Sequence, residues 1–156
     1  MLPQVRTLSC SQTTVLDALD RYITSNPDRD SVLLLDLGTV YRKVKQWAQL
    51  LPNVNACFAV KALPDPLVLR ALLSLGVGLD CASAGEMEHV LALGADPKRI
   101  ILSNPCKSPS ALQCARDNGV EWMTFDNEYE VVKIKDIYPE AKFVQVDRLE
   151  ALWGLL

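Results

Sequence analysis

The sequence predicts an α/β fold, a (β/α)8 barrel ending after about its fifth strand, on three observations. Short apolar runs bounded by turn residues alternate with amphipathic stretches of helical length, the pattern of right-handed βαβ units on a parallel sheet. Gly76, Gly94 and Gly119 each follow a helical stretch, where a left-handed residue ends a helix. Alternate strand positions also differ in character. The sets Cys57, Ala59, Lys61; Gly78, Asp80, Ala82; and Trp122, Thr124, Asp126 run toward polar groups, whereas Phe58 with Val60, and Met123 with Phe125, are wholly apolar. One set can line a barrel and its open rim while the other meets the helices. An open doubly wound sheet fits the repeat length equally well; the alternation favours the barrel.

Residues 1–30 read as an N-terminal helical extension. Val15, Leu16, Leu19, Tyr22 and Ile23 fall at helical spacing between Thr13 and Thr24, before a turn cluster at Ser25 to Asp28. Residues 31–147 read as the partial barrel. It opens with a buried strand, Ser31 to Leu37, and a helix, Gly38 to Leu50, with Val40, Tyr41, Val44, Trp47, Ala48 and Leu50 on one broad face. Strands then follow at Val54 to Lys61, Val77 to Ala82, Ile100 to Asn104 and Glu121 to Asp126, with another beginning at Lys142. Between them helices are predicted from about Pro66 to Leu75, Ala84 to Leu93, Ser108 to Asn118 and Glu128 to Ile137, the last stopped by Pro139. Residues 148–156 read as a divergent tail. Such a barrel takes about 250 residues, so a chain of 156 reads as its first part.

Composition excludes several function classes. A hydrophobic fraction of 49% supports a packed core rather than a disordered segment. The net charge of −3 and the absence of a basic stripe argue against nucleic-acid binding. No run approaches the roughly 20 apolar residues that cross a bilayer, and Arg6, Asp17, Asp20 and Arg21 interrupt any signal-peptide core. A soluble, cytoplasmic protein is expected. The cysteines, Cys10, Cys57, Cys81, Cys106 and Cys114, contain no C-x-x-C pair and accompany a single histidine, so no zinc site is expected. They read as small buried hydrophobes.

Lys61 closes an apolar strand, and a desolvated lysine at a parallel strand's carboxyl end is a candidate nucleophile toward aldehydes; a lone lysine is a weak motif, and by itself it reads more readily as a side chain snorkelling to solvent. Asp80 stands within an apolar strand, where a carboxylate is costly unless paired. Lys61 is the expected partner, Gly78 and Ala82 are expected to leave room for a ligand, and a helix-capping acid is the alternative. Ser83 and Glu86 form Ser-x-x-Glu at a helix start, a capping box that needs no catalysis. His89, opposite Met87, Val90 and Leu91, reads as solvated. Asn104 to Lys107 is a polar turn, either a positioning loop or punctuation. Gly76-Val-Gly78 lacks the third glycine and the strand-to-helix setting of a dinucleotide fingerprint.

At these residues the chain resembles the eukaryotic ornithine decarboxylases, within the pyridoxal-phosphate-dependent ornithine, diaminopimelate and arginine decarboxylases. The block Phe58-Ala-Val-Lys61, with Val68, Leu69, Leu72 and Gly76, matches the family's cofactor-attachment pattern. Leu79-Asp-Cys-Ala-Ser83 with Glu86, Ser103-Asn-Pro-Cys-Lys107 and Thr124-Phe-Asp126 match further blocks in the same order. The resemblance covers about residues 31–144. It implies a pyridoxal-phosphate-binding barrel of the alanine-racemase type, a following β-domain and a homodimer. It further implies that Lys61 attaches the cofactor, that Asp80 is an acid near cofactor and lysine, that Glu86 is a second acid on the next helix, and that Ala59 lies beside the ring. The implied activity is decarboxylation of ornithine to putrescine in polyamine biosynthesis, with this chain as an inactive or incomplete fragment. Ala62-Leu63 stands where the family has Cys-Asn, and Val146 where it has an arginine. The family's glycine-rich phosphate loop and the acid that partners the pyridine nitrogen belong to later barrel strands.

Two other readings compete. An antizyme-inhibitor-like pseudoenzyme would act by binding a regulatory protein. The corresponding surface, residues 109–137, carries Arg116, Lys133 and Lys135 against Asp117, Glu121, Asp126, Glu128, Glu130 and Asp136, an acidic balance that argues against tight antizyme binding. An aldolase-type Schiff-base barrel fits Lys61 and none of the other blocks.

Overall fold

A computed structural model describes residues 14–145; Cys10, the divergent tail and the Val146 departure lie outside them. The chain divides into two units, residues 1–36 and 37–156. In the first, helix α1 (Val15–Ser25) starts at Thr14, whose N–H donates to Asp17 Oδ2 at 2.8 Å while Asp17 N–H donates to Thr14 Oγ1 at 3.2 Å. This reciprocal pair satisfies two of the donors a helix start leaves open. The expected strand over 31–37 does not form. Residues 31–36 join no ladder with a described strand, Leu33 is 79% exposed, and Leu37 already belongs to the next helix. A short apolar run becomes a strand only where a partner ladder takes its backbone groups.

The second unit opens with helix α2 (Leu37–Leu50) and continues β1 (Cys57–Ala59), α3 (Pro66–Ser74), β2 (Gly78–Cys81), α4 (Ala84–Ala92), β3 (Ile100–Leu102), α5 (Pro109–Asn118), β4 (Trp122–Phe125), α6 (Glu128–Ile137) and β5 (Lys142–Gln145). Each βα connection delivers a capping side chain: Asp65 accepts from Leu67 and Val68 N–H, Ser83 from Glu86 N–H, Ser108 from Ala111 N–H and Asn127 from Glu130 N–H. Gly76, Gly94 and Gly119 take φ of +81°, +91° and +72°, the left-handed exits predicted for them. The strands are shorter than the apolar runs. Val54 lies outside β1, and its carbonyl accepts the Trp47 indole N–H at 2.8 Å.

All strand pairs are parallel, and the order is β1-β2-β3-β4-β5. A doubly wound sheet reverses its order at a switch point and carries helices on both faces. A monotonic order with right-handed crossovers keeps every helix on one face, as in a (β/α)8 barrel. These are five consecutive strands of such a barrel. The helix-facing row Cys81, Leu102, Met123 is fully buried, as are Leu79 and Ile100 below it, and they pack with Leu69, Met87, Leu112 and Ile134 of the helices. Among the described residues no helix is long and apolar enough to cross a membrane.

A buried ion pair penetrates this core. The Lys107 side chain is 0% exposed and pairs at 3.1 Å with Glu130, itself 4% exposed. Its ammonium also donates to Asn104 O at 2.9 Å and Thr124 O at 2.6 Å, so its three donors are all occupied. Glu130 accepts Lys107 N–H at 3.0 Å and pairs with Lys133 at 2.6 Å, and Lys133 Nζ donates to Lys107 O at 2.7 Å. The carboxyl ends of β3 and β4 are thereby tied to the first turn of α6. Burial alone would push the Glu130 carboxyl up, but the hydrogen bonds from Lys133 and Lys107 outweigh it and hold the group below its ordinary 4.5. Burial pulls the Lys107 ammonium down despite Glu130.

Glu130→Ala strands a buried ammonium and is expected to cost about 3–5 kcal/mol in urea denaturation. Because the Glu130 pKa is lower folded than unfolded, its contribution is complete above the ordinary 4.5 and is lost as pH falls through the folded value. The wild-type chain should therefore lose stability on acidification through that window more steeply than Glu130→Gln.

Candidate active site

The strand register builds the barrel-facing surface in layers. Ala59, Asp80, Ile101, Trp122 and Lys142 form one row across the five strands. Thr124 pairs with Val144 one layer nearer the carboxyl ends. Ser103, directly after β3, extends the same layer, its N–H donating to Cys81 O at 2.8 Å. Asp80 and Ala59 thus sit side by side on adjacent strands.

Lys61 is placed differently from expectation. β1 ends at Ala59, and Val60 to Ala62 form a 3-10 turn with Val60 buried and Lys61 exposed. The strand alternation therefore does not extend to Lys61. No described residue gives Lys61 a hydrogen bond or an ion pair, and the expected pair with Asp80 is not formed. Asp80, half-buried, instead accepts a hydrogen bond at Oδ1 from the Ser103 hydroxyl. Nor does Asp80 cap the following helix, because Ser83 does. The space expected beside Asp80 is also partly taken. A methyl group at Gly78 would stand 2.8 Å from Cys57 Sγ and 3.0 Å from Arg99 O, so Gly78 admits a neighbouring strand rather than a ligand.

Glu86 does cap its helix, in a displaced form. Ser83 Oγ accepts Glu86 N–H at 3.2 Å, but Glu86 Oε2 reaches back past the cap to Ala82 N–H at 2.7 Å. The carboxylate so fixes the backbone two residues beyond Asp80. His89 is half-buried rather than solvated, its Nε2 3.1 Å from Pro64 O; it joins α4 to the loop that follows Lys61. The Asn104 to Lys107 turn is held by the buried Lys107. The sequence reading places Ser103, Lys107 and Thr124 in strand ends, turns and motif blocks but assigns none of them a contact, and it gives Glu130 no role beyond its charge. Thr124 Oγ1 is buried with no hydrogen-bond partner. Strand parity already puts Thr124 on the barrel-facing set; the same parity, continued from Ile101, is the signal for Ser103.

Of the four cysteines among the described residues only Cys81 is buried; Cys57 and Cys106 are exposed and Cys114 is half-buried, against the expectation of buried hydrophobes. Position on a strand decides this: Cys81 is on the helix-facing row and Cys57 on the opposite one. Burial, with the charges of Glu86 and Asp80, pushes the Cys81 thiol up to about 12.

Together these residues offer a primary amine open to an aldehyde, a carboxylate on the neighbouring strand held by a hydroxyl, and a buried hydroxyl still able to donate. That donor set fits a small carbonyl compound bearing polar substituents. An apolar groove of about 370 Å³ between α2, β1 and α3, lined by Val40, Val44, Trp47, Phe58, Val68 and Leu72 among others, contains neither Lys61 nor Asp80. Among the described residues no group of histidine, cysteine and acidic side chains could hold a metal ion.

Residues 37–148 match the family model described as "Pyridoxal-dependent decarboxylase, pyridoxal binding domain". The probable ornithine decarboxylase of Dictyostelium discoideum is 49% identical over 75% of this chain and 25% of that protein. Antizyme inhibitor 2 of Xenopus laevis is 40% identical over 83% of this chain and 28% of that protein. The crystal structure of the Paramecium bursaria Chlorella virus arginine decarboxylase superposes with a TM-score of 0.78 at 29% identity, covering 82% of this chain and 35% of the viral one. The chain thus spans about a quarter of the length of the curated relatives it matches.

The thiols supply a direct check on the layering. With iodoacetamide at pH 8, Cys106 should alkylate readily in the folded chain and Cys81 should be protected until urea is added. Equal labelling of Cys81 and Cys106 without denaturant would show that the row assignment of β2 is wrong.

Proposed function

Because the chain belongs to the pyridoxal-dependent decarboxylases, whose pyridoxal-binding domain matches its residues 37–148, we propose that it carries the cofactor-attachment half of an ornithine decarboxylase active site. The parent reaction is the decarboxylation of ornithine to putrescine. The observation that carries this reading is that Ser103, not Lys61, bonds the Asp80 carboxylate, so the lysine amine is left to react. Lys61 would hold the cofactor, its primary amine being the group that reacts with an aldehyde. Asp80, beside Ala59 in the register, places its carboxylate next to the strand that leads into the Lys61 turn. Ala59, with only a methyl group beside Asp80, would leave room for the cofactor against that strand. Glu86 acts through the backbone: by holding Ala82 N–H it sets the end of β2 on which Asp80 stands. The Thr124 hydroxyl is a donor for a polar substituent. When bound, pyridoxal phosphate supplies the electron sink for the electrons left as carbon dioxide departs.

The isolated 156-residue chain is read as inactive. Among the described residues β1 and β5 each have one unpaired edge, and a barrel without closure leaves both its edges and its inner row open to water; Trp122 of that row is 38% exposed. Purified chain with saturating pyridoxal phosphate and ornithine should release no carbon dioxide, and turnover within the usual range of about 1–10³ per second would overturn this.

A second reading, protein binding in the manner of an antizyme inhibitor, is favoured by the 40% identity to antizyme inhibitor 2. Its surface is poorly suited here. Arg116 is paired with Asp117, Lys133 with Glu130, and Lys135 donates to the Pro139 and Ala141 carbonyls, which leaves the acidic residues of 109–137 in excess.

The enzyme reading is tested by grafting residues 37–145 in place of the matching segment of the Dictyostelium relative. Borohydride reduction of the loaded graft should trap pyridoxyl on the Lys61 peptide, and label on another lysine would refute the assignment. Lys61→Ala should lose the label and slow turnover by several orders of magnitude. Asp80→Asn should keep the fold while turnover or cofactor affinity falls; unchanged kinetics would remove Asp80 from the site.

A further inference from the structure

The sequence singles out Asp80 and places Ser103 near the end of a neighbouring strand without giving it a role of its own, and the structure joins them. Two strands contribute, and each end of the contact is fixed by its own backbone. Ser103 is held by the parallel ladder, its N–H on Cys81 O at 2.8 Å. Asp80 is held in β2, with Ala59 and Ile101 as its register neighbours on either side. Both side chains are half-buried. The Ser103 hydroxyl donates to Oδ1, and no described residue bonds Oδ2. A short side chain on a strand is otherwise free to change χ1, and a carboxylate with two equivalent oxygens can turn about χ2. A hydroxyl delivered from the next strand removes that freedom at the cost of a single donor, and a charge-assisted bond of this kind is stronger than a neutral one.

We propose that Ser103 is a positioning residue for the decarboxylase site: its hydroxyl fixes the Asp80 carboxylate in one rotamer, engages Oδ1 and presents Oδ2 to the cofactor beside Lys61. The inference rests on the reading of Asp80 as an acid near the cofactor. Ser103 thereby also does what the sequence assigns to Lys61, satisfying the buried side of Asp80 without neutralising it. A lysine in that role would be occupied by the acid; a serine leaves the amine available.

The test uses the full 156-residue chain, isotope-labelled, as wild type, Ser103→Ala, Ser103→Thr and Asp80→Asn. Three-bond couplings report the Asp80 χ1 distribution without any cofactor. Capture of added pyridoxal phosphate by borohydride, mapped by peptide, reports the share of label on Lys61. In wild type and Ser103→Thr, Asp80 should occupy one rotamer. In Ser103→Ala it should average over rotamers while the melting temperature changes little, and the Lys61 share should fall at least threefold, as in Asp80→Asn. An unchanged Asp80 rotamer in Ser103→Ala overturns the inference, whatever the labelling shows. If Asp80→Asn lowers the Lys61 share but Ser103→Ala does not, the positioning role fails and the reading of Asp80 stands. If neither lowers it while the rotamer does average, the reading of Asp80 fails and the inference falls with it. Loss of folding in Ser103→Ala with full rescue by Ser103→Thr would make the hydroxyl a structural bond and overturn the positioning role.

Discussion

The buried Lys107–Glu130 pair is the constraint from which the working end of this sheet follows. Parallel strands end in loops, and loops have no ladder to hold them. Here the loop after β3 carries an ammonium inward to the carbonyls of Asn104 and Thr124 and to the Glu130 carboxylate. An ion pair taken out of water gains little stability relative to an apolar pair of similar volume. What it supplies is direction: a lysine with three fixed acceptors admits one arrangement of β3, β4 and α6. Ser103 and Thr124, the residues at the ends of those strands, inherit that arrangement.

The consecutive strand order does the rest. With every crossover of one hand, the helices are confined to one face of the sheet, and the strand pleat sends alternate residues to the other. Asp80, Ala59 and the Ser103 layer lie on that other face, at the carboxyl ends, where barrel enzymes keep their chemistry. The opposite row, Cys81, Leu102 and Met123, is solid core. Stability and site are therefore encoded on alternating letters of the same short strands. A one-residue slip of β2 would exchange Asp80 with Cys81, burying a carboxylate among the helices and leaving an apolar thiol at the site.

The βα loops carry an economy of their own. Asp65, Ser83, Ser108 and Asn127 each cap the helix that follows, so every loop that could bear a functional residue is anchored at its far end. The Lys61 loop has two further ties, Val60 in the core and His89 on Pro64 O. An exposed amine with no partner of its own among the described residues is held in place by its backbone rather than by its side chain.

Much of this was legible in the sequence because it depends on local pattern. The helices of the second unit, their capping residues, the left-handed glycines and the five strand cores follow from periodicity and turn chemistry, and the motif blocks around Lys61, Asp80, Asn104 and Thr124 are contiguous residues. The sequence by itself thus determined the α/β units, their order and the family. What it could not determine are matters of pairing between distant residues. Ser31 to Leu37 has a strand's composition, but its backbone finds no ladder. Lys61 shares the parity of Ala59, but a 3-10 turn breaks the alternation before it. Asp80 needed a partner, and the partner was a serine twenty-three positions away, not the lysine that charge suggests. Only the tertiary structure decided these, because the register between neighbouring strands, and not the spacing along one of them, sets which polar groups come within reach of each other.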